Sequence, residues 1–223
     1  MQATVEEAVA RGAAAYQART LPFYDALVHG LSNRVAWRCP ARDLLELYAR
    51  HVSERHLDVG VGSGFFLDRC VFPAPQPRIT LVDLSPAALE FTRRRIARYR
   101  PRVVLANALE PLALEDGPFR SIGTMYLIHC LPGPLPVKAR VLSVLGAHLA
   151  QDGVLFGATI LGAGVPHSAA ARALLGLYNR IGVFGNAGDT LEQLEAALAA
   201  RFERHEVRVQ GCVALFSASG FRA

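Results

Sequence analysis

The run Leu-Asp-Val-Gly-Val-Gly-Ser-Gly at residues 57–64 restricts the fold of this chain more than any other segment. It begins as a short apolar strand, passes through three closely spaced glycines and continues into Phe65-Phe66-Leu67. Glycines let a backbone turn sharply and let a ligand come close to it, and a helix that follows such a turn presents unpaired N–H groups. A strand, a tight turn and a helix in this order indicate the ligand-binding turn of a Rossmann-like α/β fold.

Short apolar strands alternate with helices after residue 50, which predicts a mostly parallel sheet with helices on both faces. The expected strands are 55–59, 79–83, 103–106, 119–125 and 153–159, and the expected helices are 64–70, 86–99 and 135–150. A helix at 191–202 is followed by strands at 204–210 and 212–218, whose tight link at Gly211 requires an antiparallel pair. The sequence therefore predicts a Rossmann-like seven-stranded sheet that ends in an antiparallel hairpin.

Two segments fall outside this alternation. Residues 1–50 contain expected helices at 3–18, 21–33 and 41–51, and we predict that they form an N-terminal helical cap. Residues 51–223 form the ligand-binding domain, with an insertion at 160–190 that contains a helix at 168–179. Since ligands of open α/β sheets bind at the carboxyl edge, we expect both segments to close over that edge as a lid. The expected hinges of this lid are the glycines of the insertion, namely Gly162, Gly164, Gly182, Gly185 and Gly188.

Composition excludes several classes of protein. The first 18 residues contain two glutamates and no long apolar core, and the apolar run at 153–166 is too short and too rich in glycine to cross a bilayer. These features predict a soluble, cytoplasmic protein without a membrane partner. The four cysteines lack the spacing of a zinc or redox motif, so we expect reduced thiols and no metal site.

The net charge of +5 comes largely from the arginine-rich stretch at residues 93–102. Such a stretch can bind RNA, or it can be the solvated outer face of a helix. We favour the solvated face, because the charges recur along one short helix, and we therefore do not expect a nucleic-acid partner.

The spacing of the glycines separates two classes of ligand. Dinucleotide-binding loops follow G-x-G-x-x-G, which would place the third glycine where this chain has Phe65. The spacing here is D-x-G-x-G-x-G, which resembles the first motif of class I S-adenosylmethionine-dependent methyltransferases of the small-molecule type. This resemblance implies S-adenosyl-L-methionine as cofactor and S-adenosyl-L-homocysteine as product, with Asp58 near the ammonium group of the cofactor.

The next two strand ends continue the resemblance. Asp83 ends the second strand, where a carboxylate can accept from both ribose hydroxyls, and Leu84-Ser85 continues the pattern of the family. The family commonly has an acidic residue at the position of Asn107, near the adenine amino group, and an asparagine can accept there through its amide oxygen. The predicted cofactor-binding residues are Asp58, Gly60, Gly62, Gly64, Asp83, Leu84, Asn107, Ala108, Leu109, Met125 and Tyr126.

The fourth strand is followed by Leu127-Ile128-His129-Cys130-Leu131-Pro132, which is similar to the Leu-His-His-Leu-Pro of small-molecule methyltransferases. His129 is the candidate catalytic residue, because histidine titrates near neutral pH and can act as a general base. The alternative is a buried histidine that bonds to the backbone and shapes the floor of the site. The predicted acceptor-binding residues, each of which can also be ordinary packing, are Tyr24, Trp37, His129, His167, Tyr178, Phe184 and Asn186.

The resemblance implies methyl transfer to a small, moderately apolar molecule, foremost at oxygen, with nitrogen and carbon as open alternatives. The Asn/Asp-Pro-Pro-aromatic motif of nucleic-acid amino-methyltransferases is absent at the end of the fourth strand. Two other functions remain open. One is an RNA methyltransferase, and the other is a methyltransferase fold that uses its cofactor structurally or for a reaction such as cyclisation. The oligomeric state also stays open, with a homodimer as one alternative.

Overall fold

A computed structural model describes residues 32–222 of the chain. These residues form a seven-stranded sheet in the order β3-β2-β1-β4-β5-β7-β6. The strands are β1 (Arg55–Val59), β2 (Arg78–Asp83), β3 (Arg102–Leu105), β4 (Phe119–Met125), β5 (Leu149–Ile160), β6 (Phe202–Gln210) and β7 (Val213–Phe221). Strands β1 to β5 pair in parallel, whereas β7 is antiparallel to both β5 and β6. The predicted fold class is confirmed.

Seven α-helices are found among residues 32–222. They are α1 (Ala41–His51), α2 (Phe65–Arg69), α3 (Pro86–Arg95), α4 (Leu135–Lys138), α5 (Arg140–Gly146), α6 (Ala169–Arg180) and α7 (Leu191–Ala199). The expected helix 86–99 ends at Arg95, because the wholly buried Ile96 leaves the helical conformation and a 3₁₀ turn follows. The expected helix 135–150 is two short helices, and its last residues belong to β5 instead.

Two hydrophobic clusters cover the opposite faces of the sheet. Leu155 belongs to one cluster and Phe156 to the other, as expected for consecutive residues of a strand that is buried on both sides. Helix α1 lies on the face of Phe156, because Tyr48 packs edge-on against that ring with centroids 5.2 Å apart. Helix α1 therefore belongs to a regular layer of the fold and covers a face of the sheet.

The segment before α1 reaches the carboxyl edge of the sheet. The carbonyl of Trp37 accepts from the N–H of Cys212 at 3.0 Å, and the carbonyl of Ala36 accepts from the Ser168 hydroxyl at 3.2 Å. This segment thus contacts both the insertion and the approach to β7. The expected helix 3–18, most of the expected helix 21–33 and Tyr24 lie outside the described residues, and the N-terminal cap stays a prediction.

Within residues 32–222, no helix has both the length and the apolar character that crossing a bilayer requires. The four cysteines are free thiols, and three of them are buried.

Candidate functional site

The glycine-rich loop between β1 and α2 is a turn that leaves no room for a side chain at Gly60 or Gly64. Gly60, Gly62 and Gly64 have φ values of +76°, +51° and +69°, in the left-handed region that side chains disfavour. A Cβ atom on Gly60 would lie 2.9 Å from Leu127 Cδ1, and one on Gly64 would lie 2.8 Å from Thr92 Cγ2. The three glycines thus allow the loop to pack closely between the β4 end and α3.

Helix α3 holds this loop in place. The Thr92 hydroxyl donates to the carbonyl of Gly62 at 3.1 Å, and Arg95 donates to the carbonyl of Ser63 at 3.1 Å. Arg95 is itself held by an ion pair with Asp68 of α2 at 3.0 Å. Part of the arginine-rich stretch therefore supports the loop from behind.

Two clefts flank the loop at the carboxyl edge of the sheet. The first has a volume of about 680 Å³ and a mostly apolar lining, and the second has a volume of about 440 Å³. They share the residues Gly60, Gly62 and Tyr126, so they meet at the loop and at the end of β4.

The first cleft is further lined by Val59, Val82, Asp83, Leu84, Ala106, Asn107, Ala108, Leu127, Cys130, Leu131 and Pro132. The second is further lined by Asp58, Val61, Ser63, Gly64, Phe65, Phe66, Leu67 and Met125. All predicted cofactor-binding residues therefore line a cleft, except Leu109, which is buried and donates its N–H to Asn107 Oδ1 at 3.0 Å. Contact of these residues with a cofactor stays a prediction.

A chain of buried hydrogen bonds ends on the carboxylate of Asp58. The Tyr48 hydroxyl donates to Asp58 Oδ2 at 2.6 Å and lies 2.8 Å from His56 Nε2. His56 Nδ1 lies 2.8 Å from the Ser121 hydroxyl, which accepts from the N–H of Ser53 at 2.9 Å. Because Tyr48 has one proton and gives it to Asp58, its oxygen accepts from His56 Nε2. The donors of His56 and Tyr48 thus both point towards Asp58.

This arrangement suits a carboxylate that binds a cation. Asp58 is 6% exposed and lines the second cleft. Burial, followed by the charge of Asp58, raises the pKa of Tyr48 well above its usual value, so the phenol keeps its proton as a donor. A buried carboxylate needs donors or a cationic partner, and the mouth of the cleft leaves room for the latter.

Asp83 connects the end of β2 with the glycine loop. Its Oδ1 accepts from the N–H of Ser85 at 2.8 Å, where Ser85 is the N-cap of α3. Burial raises the pKa of Asp83, and backbone hydrogen bonds from Ser85, Gly62, Val61 and Leu84 partly offset that rise. The carboxylate therefore orders the loop as well as lining the first cleft.

The amide of Asn107 is engaged within its own turn. Its Oδ1 accepts from the N–H of Leu109, and its Nδ2 donates to Glu110 Oε1 at 2.9 Å. A second donor can still share the oxygen, since a carbonyl has two lone pairs. The predicted contact with an adenine amino group stays a prediction.

His129 lies beneath the site and lines neither cleft. It is 2% exposed, its Nδ1 accepts from the N–H of Ile160 at 3.3 Å, and Thr159 Oγ1 lies 3.5 Å from the same nitrogen. Burial, and then the charge of Lys138, lowers the pKa of His129 to about 3. The ring is therefore neutral, with its proton on Nε2, which makes it a hydrogen-bond donor. This geometry favours the alternative in which His129 shapes the floor of the site.

The aromatic residues predicted to bind an acceptor form one cluster around Phe184. Its ring centroid lies 4.5 Å from that of His129, 4.9 Å from that of Tyr178 and 6.2 Å from that of Trp37. Trp37 is buried, and none of these rings lines either of the two clefts. The cluster joins the segment before α1, the insertion and the turn after β4.

His167 and Asn186 bond to the end of β5. His167 Nε2 lies 2.9 Å from the carbonyl of Leu161, and Asn186 donates to the carbonyl of Ile160 at 2.8 Å. Asn186 is wholly buried and also exchanges hydrogen bonds with Asn179 of α6. These contacts fasten the insertion, and neither residue lines the clefts.

Two of the expected hinge glycines are close-packed. A Cβ on Gly162 would overlap the carbonyl oxygen of Asn186, and one on Gly185 would lie 2.5 Å from the carbonyl oxygen of Leu131. A buried ion pair between Lys138 and Asp189 at 2.6 Å fixes the same region, and Lys138 also donates to the carbonyl of Gly185 at 2.7 Å. Packing therefore demands a glycine at Gly162 and Gly185, and the expectation that the glycines of the insertion act as hinges stays a prediction.

Some site residues escaped the sequence analysis. The turn after β4 was noted for His129, yet it is its neighbours Leu127 and Cys130 that face the first cleft, because the short 3₁₀ helix Ile128–Cys130 buries His129. The buried residues Tyr48 and Asn33 also gave no local signal. Asn33 Oδ1 accepts from the Tyr126 hydroxyl at 3.0 Å, across 93 residues of chain. Among residues 32–222, no three potential metal ligands come together.

Comparison with known proteins gives consistent matches. Residues 57–155 match the family model of a methyltransferase domain. The chain is 38% identical to the demethylluteothin O-methyltransferase of Streptomyces thioluteus, over 96% of this chain and 93% of that protein. It is also 38% identical to the physcion biosynthesis cluster O-methyltransferase of Aspergillus chevalieri, over 93% of this chain and 94% of that protein. The solved structure of a DhpI–SAH complex has the same fold, with a TM-score of 0.68, 13% identity and coverage of 96% of this chain and 98% of that one.

Proposed function

Because the chain belongs to the S-adenosylmethionine-dependent methyltransferases, we propose that it methylates a hydroxyl oxygen of a small, largely apolar molecule. The observation that carries this proposal is the similarity, over more than nine tenths of the chain, to two relatives that are named O-methyltransferases. The name of the first states that it acts on demethylluteothin, and the name of the second assigns it to a physcion biosynthesis cluster. We infer that this chain acts on a molecule of a similar kind, a secondary metabolite.

The residues of the two clefts fit S-adenosylmethionine. The larger, apolar cleft ends at Asp83 and suits a nucleoside, and the smaller cleft contains the buried carboxylate of Asp58, which suits an ammonium group. The glycines shared by both clefts bring the backbone to the point where the two halves of such a molecule would join. When bound, the cofactor supplies an electrophilic methyl group on a sulfonium.

The protein's own contribution is to bind, orient and exclude water. Asp58 and Asp83 would hold the two polar ends of the cofactor, and Tyr126 would lie between the clefts. Methyl transfer requires the accepting atom to lie in line with the methyl group, which positioning alone can accelerate strongly. We assign no proton abstraction to His129, because its Nδ1 is engaged by a backbone N–H and its pKa is lowered to about 3.

The RNA methyltransferase alternative has little support from the arginine-rich stretch. Arg93 and Arg94 pair with Glu90, Arg95 and Arg98 pair with Asp68, and Arg102 pairs with Glu115 and Asp116. Acidic residues of α2, of α3 and of the loop before β4 therefore compensate these arginines. We further propose that the protein is cytoplasmic and that it forms a homodimer; its free thiols support a reducing compartment.

The proposal is tested with the purified protein and S-adenosylmethionine labelled in its methyl group. The acceptors are demethylluteothin, a panel of substituted phenols, matched aryl amines and transfer RNA. We expect the label in a methyl ether, together with one equivalent of S-adenosyl-L-homocysteine. Label in RNA or in an amine alone would favour those alternatives, and tightly bound cofactor without any transfer would favour a structural use.

A further inference from the structure

Asn33 carries a buried hydrogen-bond donor that no group among residues 32–222 uses. The residue is wholly buried, and its Oδ1 accepts from the Tyr126 hydroxyl at 3.0 Å. Its Nδ2 has no hydrogen-bond partner in the part of the chain that the structure describes. Buried donors in native proteins are nearly always satisfied, so this donor is able to bind a group from outside the protein.

The position of Asn33 relates this donor to the reaction. Tyr126, which holds the Asn33 amide, lines both clefts at their junction. Tyr126 also has a φ of +61°, a conformation that side chains rarely adopt and that is found preferentially at functional sites. The backbone there is held by the N–H of Tyr126, which donates to the carbonyl of Ala158 at 2.8 Å. Asn33 is thus one hydrogen bond away from the meeting point of the clefts.

The surroundings of this donor favour an anionic oxygen over a neutral hydroxyl. The histidine next to Tyr126, with ring centroids 5.5 Å apart, is His129, whose Nδ1 already accepts a backbone N–H. His129 therefore cannot accept the proton of a hydroxyl that binds at this site. An acidic hydroxyl, such as a phenol or an enol, loses its proton to bulk water and keeps the electron pair as an oxyanion.

We propose that the Asn33 amide and Tyr126 form an acceptor subsite that binds the oxyanion of a phenol or enol, with Asn33 Nδ2 donating to that oxygen. This inference rests on the proposed function and narrows its substrate class to acidic hydroxyls. The amide donates a hydrogen bond without giving up its proton, so it stabilises the anion and lowers the pKa of the bound acceptor. Asn33 is wholly buried, so the acceptor can reach it only if the residues that cover Asn33 move.

The test uses 4-nitrophenol as a probe, because its neutral and ionised forms absorb at different wavelengths. Titration of the wild-type protein into the probe near neutral pH is expected to shift the probe towards the phenolate, without any cofactor present. The Asn33→Asp variant keeps an acceptor for the Tyr126 hydroxyl but replaces the donor by a negative charge. It should abolish or reverse the shift, and it should lower kcat/KM for phenols by about 100-fold or more.

Asn33→Leu, which removes the amide without adding a charge, should lower kcat/KM about 10-fold to 100-fold. In both variants the affinity for S-adenosyl-L-homocysteine, measured by calorimetry, should stay within a factor of two and so report correct folding. A wild-type protein that leaves the ionisation of the probe unchanged, or an Asn33→Asp variant with wild-type kcat/KM, overturns the inference.

The two proposals fail in different ways. If the protein methylates phenols and Asn33→Asp leaves that activity unchanged, the proposed function holds and the subsite is wrong. If phenolate binding depends on Asn33 but the protein methylates only amines or RNA, the subsite holds and the proposed function is wrong.

Discussion

The carboxylate of Asp58 depends on residues that lie far from it in the chain. Tyr48 contributes from helix α1 and Ser121 from β4, and His56 connects them along β1. The hydrogen bonds from His56 and from Tyr48 run in the same direction and polarise each other, so loss of the Tyr48 hydroxyl would weaken the support of Asp58. The result is an anionic site that is fixed in position before any ligand arrives.

Replacing Tyr48 by Phe removes the donor to Asp58 and leaves the ring packing in place. We expect a loss of about 1.5–3 kcal/mol in binding of S-adenosyl-L-homocysteine, the usual worth of a hydrogen bond to a charged group. Binding of 5′-methylthioadenosine, which lacks the ammonium, should change little. Calorimetry with both ligands measures this difference, and Tyr178→Phe, outside the clefts, is the control. Equal losses for the two ligands would mean that Tyr48 acts only on the packing of the site.

The buried His129 makes stability depend on pH. Its pKa of about 3 in the folded protein lies below the ordinary value of 6.5, so the folded state favours the neutral ring. The corresponding stability is complete above pH 6.5 and is lost as the pH falls towards 3. Between pH 6.5 and 4.5 we expect this residue to lower the free energy of unfolding by about 2–3 kcal/mol, at about 1.36 kcal/mol for each pH unit.

His129→Asn tests this dependence, because its amide oxygen can still accept from the Ile160 N–H. In urea unfolding at several pH values, the free energy of unfolding should fall less steeply with falling pH in this variant. Part of the fall should remain, because His51 and His148, whose pKa values are also lowered, are present in both proteins. Turnover should stay near that of the wild type if His129 only shapes the floor. If the turnover of the wild type depends on pH and this dependence is lost in His129→Asn, His129 acts as a general base.

The sequence predicts the candidate site residues that belong to a recognisable local pattern. Glycine spacing and the acidic strand ends identified Asp58, Gly60, Gly62, Gly64 and Asp83, because strand, turn and helix N-cap are encoded within a few residues. Tyr48 and Asn33 could not be predicted, since their partners lie 10 and 93 residues away. Their roles arise only when tertiary packing brings distant elements together.

At the scale of elements, the segment 160–190 differs most from expectation. Its position after β5 and its helix were predicted well, but its glycines were interpreted as hinges. In the structure, Asp189 accepts from the N–H groups of Gly162 and Ala163 through its carbonyl at 3.0 Å, and Lys138 bonds the same loop through its side chain. A glycine in a sequence marks either freedom or close contact, and only packing distinguishes the two.

Gly162→Ala should therefore destabilise the protein by about 1–3 kcal/mol or more, the cost of forcing a methyl group into a filled space. Gly188→Ala is the matched control in the same insertion, because an added Cβ there meets nothing within 4 Å. It should change the free energy of unfolding by less than about 0.5 kcal/mol. Urea unfolding of both variants measures the contrast, and an unaffected Gly162→Ala would mean that the space around Gly162 is not filled.

At the scale of the whole molecule, the parallel strands carry the clefts and the insertion is fastened beside them. The parallel pairing of β1 to β5 follows from the β-α alternation, which is why the sequence predicted it, whereas the order of the strands was seen only in the structure. The predicted ends of strands and helices differ by a few residues because burial, as at Ile96, decides where a helix stops. Cofactor binding and insertion stability should consequently be separable properties.

This separation can be measured through the effect of ligand on unfolding. A ligand that binds only the folded state raises the free energy of unfolding by about 2.7 kcal/mol at 100 times its Kd. We expect S-adenosyl-L-homocysteine to give this increment in the wild type, and to give the same increment in Gly162→Ala, although that variant starts from a lower stability.

Asp83→Ala should lose about 1–3 kcal/mol of binding free energy, because donors of the ligand and of the loop are left unpaired. The increment in its free energy of unfolding at the same ligand concentration should be smaller by a corresponding amount. Thermal or urea unfolding at fixed ligand concentration distinguishes the outcomes. If Gly162→Ala also lost its increment, the insertion and the cofactor clefts would be one cooperative unit, and the acceptor side of the site would respond to cofactor through the contacts of Asp189 and Lys138.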